Sequence, residues 1–493
     1  MARWTLQVAL DDDPQPLTTR IAQAIVQDVR RGRLRPGDVL PGSRTLAASL
    51  GVHRNTVLAA FDALRAEGWI EADSARETRV ATSLPETRAK RFSGRASPRA
   101  SLPEQPGFAL GPQPPSRDRE DYPGTIALFG GQPDLGLFPV EAYARAHRRA
   151  LRTQRKTLLD YGSPRGHAAL RRAVAEMLSS LRAVAAREEN VLVTRGSQQA
   201  LDLISRALIA PGDVVAVEAM GYSPSWQALR AAGAKLEPIA VDASGLDVDA
   251  LAAVCERARV RAVYVTPHHQ YPTTVTLSAG RRMALLALAK RHSFAIIEDD
   301  YDHEFHYEGR PVLPLASADP DGHVVYIATL SKMLAPGLRV GFVVASRAVI
   351  EALARWRVYA DRQGDMVMEA ALAELIEDGE LARHARRARL AYLERRDVFV
   401  EALRRELGGA LAFEVPRGGL ALWARLEARG ADGFCERALS NGVLVQRTRT
   451  MVFDGGDRPW VRLGFAGNDG ARLEEAAKRL RGAMRDAKPS KAR

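Results

Sequence analysis

Short apolar runs recur between residues 191 and 328, each separated from the next by a helix-length amphipathic stretch. This alternation constrains the fold more than any other feature of the chain. The runs occupy residues 191–194, 214–217, 262–266, 294–298 and 324–328, with helices expected between them, for example over 197–209 and 278–291. Strands that are apolar at nearly every position leave no face for solvent. They predict an α/β fold with a parallel sheet covered by helices on both sides. From about residue 357 a long charged helix mixes with apolar runs at 420–425 and 461–465, which predicts a smaller α+β part. No internal repeat interrupts the pattern.

The chain is 493 residues long, about three times a typical domain, so more than one domain is expected. Its two cysteines, Cys255 and Cys435, cannot build a disulfide framework or a four-thiolate metal site; a reducing compartment and no metal are expected. No apolar run approaches the length of a membrane span, and the N-terminus runs straight into Asp11-Asp12-Asp13, unlike a signal peptide. These features predict a cytoplasmic protein with no membrane partner. The net charge of +12 points to polyanionic partners. Residues 1–82 are nearly neutral, with 11 basic and 10 acidic side chains, yet Arg31, Arg33, Arg35, Arg44 and Arg54 face only Asp38 within their stretch. Such a patch suits phosphates, and equally suits a plain solvated face.

Three segments follow from composition: a helical unit with a small ribbon over 15–82, a linker over 83–122, and the α/β body over 123–485. In the first, Ile21, Ile25 and Val29 recur at helical spacing, and Gly32 and Pro36-Gly37 end that helix. Ser43 is placed to cap a short helix over 44–50, Gly51 makes a turn, and a third helix runs over about 54–67 with Val57, Ala60, Phe61 and Leu64 on one face. Residues 69–71 and 78–80 read as two short strands. Prolines at 85, 98, 103, 106, 112, 114, 115 and 123 punctuate the linker, which has too few large apolar side chains for a core. Its basic residues, Arg88, Lys90, Arg91, Arg95 and Arg99, serve either solubility or phosphate contact.

A short helix, a glycine turn and a second helix make a helix-turn-helix, whose second helix enters the major groove of DNA. That helix opens with His53-Arg54-Asn55-Thr56. Arg54 and Asn55 have forks suited to base edges, and Thr56 can reach a phosphate or a thymine methyl. Arg44 opens the preceding helix, where free N–H groups favour a phosphate. A bundle that merely packs fits the same periodicity. The residues go further: Leu34-Arg35-Pro36-Gly37-Asp38-Val39-Leu40-Pro41, Ser43-Arg44-Thr45-Leu46-Ala47 and Leu50-Gly51-Val52-His53-Arg54-Asn55-Thr56-Val57 resemble the winged helix of GntR-type bacterial regulators. The resemblance spans about residues 17–80 and implies DNA contact by Ser43, Arg44, His53, Arg54, Asn55 and Thr56. At the wing tip Ser74-Ala75-Arg76-Glu77-Thr78-Arg79 replaces a glycine-rich turn, leaving Arg76 as the candidate minor-groove contact.

Carbanion chemistry at an amino acid needs a lysine amine and a carboxylate that keeps a pyridine nitrogen protonated. Glu298-Asp299-Asp300-Tyr301 sits at the C-terminal end of one expected strand, and Thr329-Leu330-Ser331-Lys332 follows the next. Ligands of open α/β sheets bind at that edge. The stretch Ser331-Lys332-Met333-Leu334-Ala335-Pro336-Gly337-Leu338-Arg339-Val340-Gly341 resembles the lysine motif of fold-type I aminotransferases, a likeness extending over about residues 129–467. It implies pyridoxal 5'-phosphate (PLP) as cofactor, with Lys332 forming the Schiff base. Arg339, Ser331 and Thr329 are implied to hold the phosphate with the helix start Gly196-Ser197-Gln198. Asp299 is implied as partner of the pyridine nitrogen, Tyr301 of the ring oxygen, and Tyr222 as the stacking aromatic. Tyr161 matches the tyrosine given to the neighbouring subunit's phosphate, and Arg462 the arginine that pairs with a substrate carboxylate.

One stretch departs from ordinary aminotransferases. Thr266-Pro267-His268-His269-Gln270-Tyr271-Pro272-Thr273-Thr274 carries Tyr271 where their Asn-Pro-Thr-Gly signature has Asn. This version resembles MocR/GabR-type regulators, a GntR winged helix fused to an aminotransferase-like domain. The resemblance implies a homodimeric, PLP-dependent transcription regulator that binds double-stranded operator DNA and senses PLP itself or an amino acid held as an external aldimine. Pro224 occupies the position where one such arrangement adds a second carboxylate-binding arginine, which speaks against a γ-amino acid held by two arginines. The alternative is an active aminotransferase with an appended DNA-binding module; the residues alone leave open whether only a half-reaction occurs. A third reading, a body that serves purely as a dimerisation scaffold, leaves the lysine motif unexplained.

Overall fold

A computed structural model describes residues 6, 16–72, 77–85, 104–111, 113–115, 122–309, 312–427 and 430–485. The chain forms two compact units, Met1–Gln113 and Pro114–Arg493. Of the basic linker residues, Arg88, Lys90, Arg91, Arg95 and Arg99 lie outside the described residues, as do Pro98, Pro103 and Pro112.

In the first unit α1 (Leu17–Arg30), α2 (Ser43–Leu50) and α3 (Arg54–Ala66) precede an antiparallel ribbon of β1 (Ile70–Ala72) and β2 (Thr78–Val80). Ile21, Ile25 and Val29 of α1 meet Leu46 of α2 and Val57, Phe61 and Leu64 of α3 in one apolar core. This arrangement follows from the helical spacing of those residues. Gly51 ends α2 at φ 65°, in the left-handed region that glycine enters without a Cβ penalty. The expected cap at Ser43 is corrected: Gly42 is the N-cap, and Ser43 is the first helical residue with no capping bond. Its hydroxyl instead accepts from Arg54 Nε at 3.3 Å.

The second unit is built on a seven-stranded sheet. Its strands are β3 (Val191–Thr194), β4 (Val214–Glu218), β5 (Lys235–Ile239), β6 (Val260–Val265), β7 (Ala295–Asp300), β8 (Val324–Thr329) and β9 (Gly341–Val344), in spatial order β3-β9-β8-β7-β6-β4-β5. The expectation of a wholly parallel sheet needs correction, because β9 is antiparallel to both β8 and β3. Only residues 330–340 join β8 to β9; with no crossover helix between them the chain must turn back on itself. Alternate residues face opposite sides. Val263, Ile296 and Tyr326 enter the core on one face, while Tyr264, Ile297 and Ile327 enter the core on the other. Helices cover both, among them α4 (Ala168–Arg182) on the first and α5 (Gly196–Leu208) on the second. The smaller α+β part packs a long helix, α6 (Glu380–Leu407), against a three-stranded antiparallel sheet of β10 (Leu411–Phe413), β11 (Ala421–Leu426) and β12 (Trp460–Gly464).

Candidate cofactor crevice and nucleic-acid surface

The alternation of β7 decides where its acids go. Asp299 follows Ile297 onto the face that carries Tyr264, and the Tyr264 hydroxyl donates to Asp299 Oδ2 at 2.8 Å. Asp299 Oδ1 is buried and unpartnered. Burial pushes the Asp299 carboxyl up to about 7, against the pull of the Tyr264 hydrogen bond and the Lys332 charge. Asp300 turns to the other face, where it accepts from the Tyr326 hydroxyl at 2.7 Å and pairs with Arg182 at 3.5 Å.

β8 lies parallel beside β7, with Asp299 opposite Ile327, so both strands end at the same sheet edge. The turn beyond β8 is pinned by Thr329, whose Oγ1 donates to the Val340 carbonyl and accepts from the Ser331 N–H, each at 3.1 Å. Ser331 Oγ is buried without a partner. Burial lowers the Lys332 amine to about 8; the Arg462 charge acts in the same direction, and Asp302 and Asp299 oppose it. Gly130 and Gly131 line this region through their missing side chains. A Cβ on Gly131 would sit 3.3 Å from Lys332 Nζ, and one on Gly130 would overlap the Arg462 guanidinium. Amine and guanidinium are thus brought to two consecutive residues.

Arg462, on β12, is 1% exposed, and none of its guanidinium nitrogens has a hydrogen-bond partner. The Tyr271 ring lies 4.8 Å from it. Tyr271 in turn meets Tyr222 edge-on at 5.6 Å and Tyr301 at 6.5 Å, forming a wall of three tyrosines. The Tyr301 hydroxyl donates to the His269 carbonyl at 2.9 Å.

Gly196, at φ 74°, opens α5, and Ser197 and Gln198 stand in its first turn. N–H groups at a helix start have no intrahelical acceptor and favour an anion. Arg339 brings its guanidinium to 3.0 Å from where a Gly196 Cβ would be, and donates to the Arg195 carbonyl at 3.1 Å. Ser197, Gln198, Tyr222 and Arg339 line a cavity of about 1080 Å³, with Arg230 and Arg449 adding positive charge. An anion cradle, a buried acid with one free oxygen and an amine of lowered basicity fit PLP. Tyr161 stands elsewhere: it is 74% exposed, with the Arg362 guanidinium 3.9 Å over its ring.

Tyr264 and the Gly130-Gly131 pair were not among the expected site residues. The available signal was a lone tyrosine in an otherwise valine-rich strand, which reads equally well as core. In the first unit Arg44, His53, Arg54 and Asn55 are exposed, and Ser43 and Thr56 are half-buried. His53 caps α3 by accepting the Asn55 N–H at 3.2 Å. Arg76 lies outside the described residues.

Known proteins divide along the same line. Residues 17–80 match the family of bacterial regulatory proteins, gntR family, and residues 125–480 match aminotransferase class I and II. A multiple substrate aminotransferase from Thermococcus profundus superposes with a TM-score of 0.70 at 30% identity, covering 74% of this chain and 92% of that one. The probable rhizopine catabolism regulatory protein MocR of Rhizobium meliloti is 34% identical over 97% of this chain and 96% of its own length. The chain belongs to the MocR-type regulators.

The regulator TauR of Rhodobacter capsulatus adds 30% identity over 95% of this MocR-type chain and 96% of its own length. Full-length likeness is to regulators; the enzyme's likeness stops at the second unit. The MocR-type chain is therefore a PLP-dependent, DNA-binding regulator rather than a plain aminotransferase. Among its described residues no helix is long and apolar enough to cross a membrane.

Proposed function

We propose that this regulator senses a small amino compound bearing a carboxylate, held between Lys332 and Arg462, and answers by changing its hold on double-stranded operator DNA. The observation that carries this reading is the buried Arg462 guanidinium with no partner of its own. A charge left so is costly, and a carboxylate matched to its planar fork relieves it. When bound, PLP supplies an aldehyde for the amine and a ring that draws electrons from the substrate carbon. Lys332, with its basicity lowered by burial, holds a neutral amine in useful amount near neutral pH. Asp299 offers its free Oδ1 to a ring N–H, while Tyr264 holds the other oxygen. Ser197, Gln198, Ser331, Thr329 and Arg339 are assigned the phosphate, Tyr222 the stacking face and Tyr301 the ring oxygen.

The DNA side is assigned to Arg54, Asn55, Thr56 and His53 of α3, with Ser43, Arg44 and Arg76 on phosphates and the minor groove. A homodimer is supported by exposed apolar surface at Leu159 and Tyr161, with the exposed Tyr359 three residues from the Arg362 that stacks on Tyr161. An effector changes DNA binding only by favouring one geometry over another. The test is footprinting of the protein's own upstream region with and without PLP, then with amino acids and their decarboxylated amines. Amino acids should alter the footprint and the amines should not. A footprint indifferent to PLP and to amino acids, with multiple turnover on a keto acceptor, would return the protein to the enzymes.

A further inference from the structure

Four of the chain's ten histidines converge at one place beyond the ends of the central strands. His268 and His269 come from the loop after β6, His303 and His306 from the loop after β7. The His268 ring lies 4.4 Å from that of His269, 4.5 Å from that of His303 and 6.2 Å from that of His306. His268 is only 4% exposed, yet neither of its ring nitrogens has a hydrogen-bond partner among the described residues, and the half-buried His306 has the Glu308 backbone beside its ring. Buried polar atoms left so are unusual.

Two groupings share His268. In one, His268, Asp300 and His303 bring a potential ligand atom each within 4.8 Å of one another; in the other, His268, His269 and His306 do so. Asp300 already pairs with Arg182 at 3.5 Å and accepts from the Tyr326 hydroxyl, so a cation in the first grouping would lie against the Arg182 charge. Among the described residues no arginine pairs with a side chain of the second grouping. His269 Nδ1 is held by Asp302 Oδ1 at 2.7 Å, the carboxylate–histidine pairing that orients imidazoles in metal sites, and this leaves Nε2 as the nitrogen for a metal. Gly418 packs its backbone against that nitrogen, and a Cβ there would press on it.

We propose that His268, His269 and His306 form a site for a divalent transition metal, with Zn²⁺ as its chemical match. Three imidazoles and no thiolate suit Zn²⁺, with a fourth position open to water. A tetrahedral Zn–N length of about 2.1 Å separates the nitrogens by about 3.4 Å. Atoms now up to 4.8 Å apart therefore close by a little over 1 Å, within reach of ring rotations. The metal ties together the two loops that carry Tyr271 and Tyr301. No bond to PLP is involved, so the site stands or falls independently of the effector reading.

The test takes the full-length, PLP-loaded protein, dialysed against a chelator, and titrates it with Zn²⁺ by calorimetry. X-ray absorption then counts the imidazoles around the metal. One Zn²⁺ per chain with about three imidazole ligands is expected. His268→Ser and His306→Gln should each weaken binding at least tenfold while the bound-cofactor absorbance stays as in the parent. Absence of stoichiometric uptake by the parent, or uptake undiminished in the double variant, overturns the proposal. If the variants fail to fold, the parent's absorption spectrum decides alone: three imidazoles sustain the site, and two or fewer refute it.

Discussion

Replacing Arg462 by Met separates two effects that usually run together. The guanidinium is 1% exposed and lacks any hydrogen-bond partner; the Tyr271 ring at 4.8 Å is the group that faces it. A cation–π contact of this kind returns about 0.5–2 kcal/mol. Keeping an unpaired charge out of water costs several kcal/mol, and replacing buried ionic groups by apolar ones of similar size is often stabilising by about 1–4 kcal/mol. Arg462→Met keeps the length of the stem and removes the charge, so without effector the second unit should gain about 1–3 kcal/mol. Carboxylate binding moves the opposite way. Two charge-assisted hydrogen bonds are lost, each about 1.5–3 kcal/mol, so amino acid affinity should fall about 100-fold or more. Urea midpoints of the second unit's transition measure the first effect; calorimetric titration with an amino acid and its decarboxylated amine measures the second. An Arg462→Met protein that unfolds earlier than the parent, or that keeps its preference for the carboxylate, refutes the claim that this arginine waits unpaired for a ligand.

Tyr264→Phe removes the donor to Asp299 Oδ2. The carboxylate then loses a bond worth about 1.5–3 kcal/mol, and PLP affinity should weaken about tenfold to 100-fold in an absorbance titration; unchanged affinity would mean that the phenol is only packing. Because burial holds the Lys332 amine at about 8, its neutral fraction rises with pH until that value is passed. The rate of PLP uptake should therefore climb about tenfold between pH 6 and pH 7 and level off above about pH 8, and a flat profile contradicts the assignment. Arg54→Ala takes an exposed fork from the start of α3 and should weaken operator binding about tenfold or more, with cofactor absorbance intact. Equal binding to the operator by this variant in a gel-shift assay removes Arg54 from the recognition surface.

Much of this organisation is carried by local pattern. Helical spacing of Ile21, Ile25 and Val29, a left-handed glycine at 51 and the exposed His53, Arg54 and Asn55 at the start of α3 follow from short-range rules, so the DNA-binding unit was legible in its elements. The strand runs and the two strand ends bearing Asp299 and Lys332 were legible for the same reason. Tertiary structure decided what depends on partners distant in sequence. It showed that β9 turns back between β8 and β3, that Ser43 accepts from Arg54 instead of capping its helix, and that Tyr264 holds Asp299 across 35 positions. It also gathered His268, His269, His303 and His306 with no local spacing to announce them. Periodicity reports which face a residue occupies within its own element. Only the packing of one element against another determines which polar atoms are left without a partner.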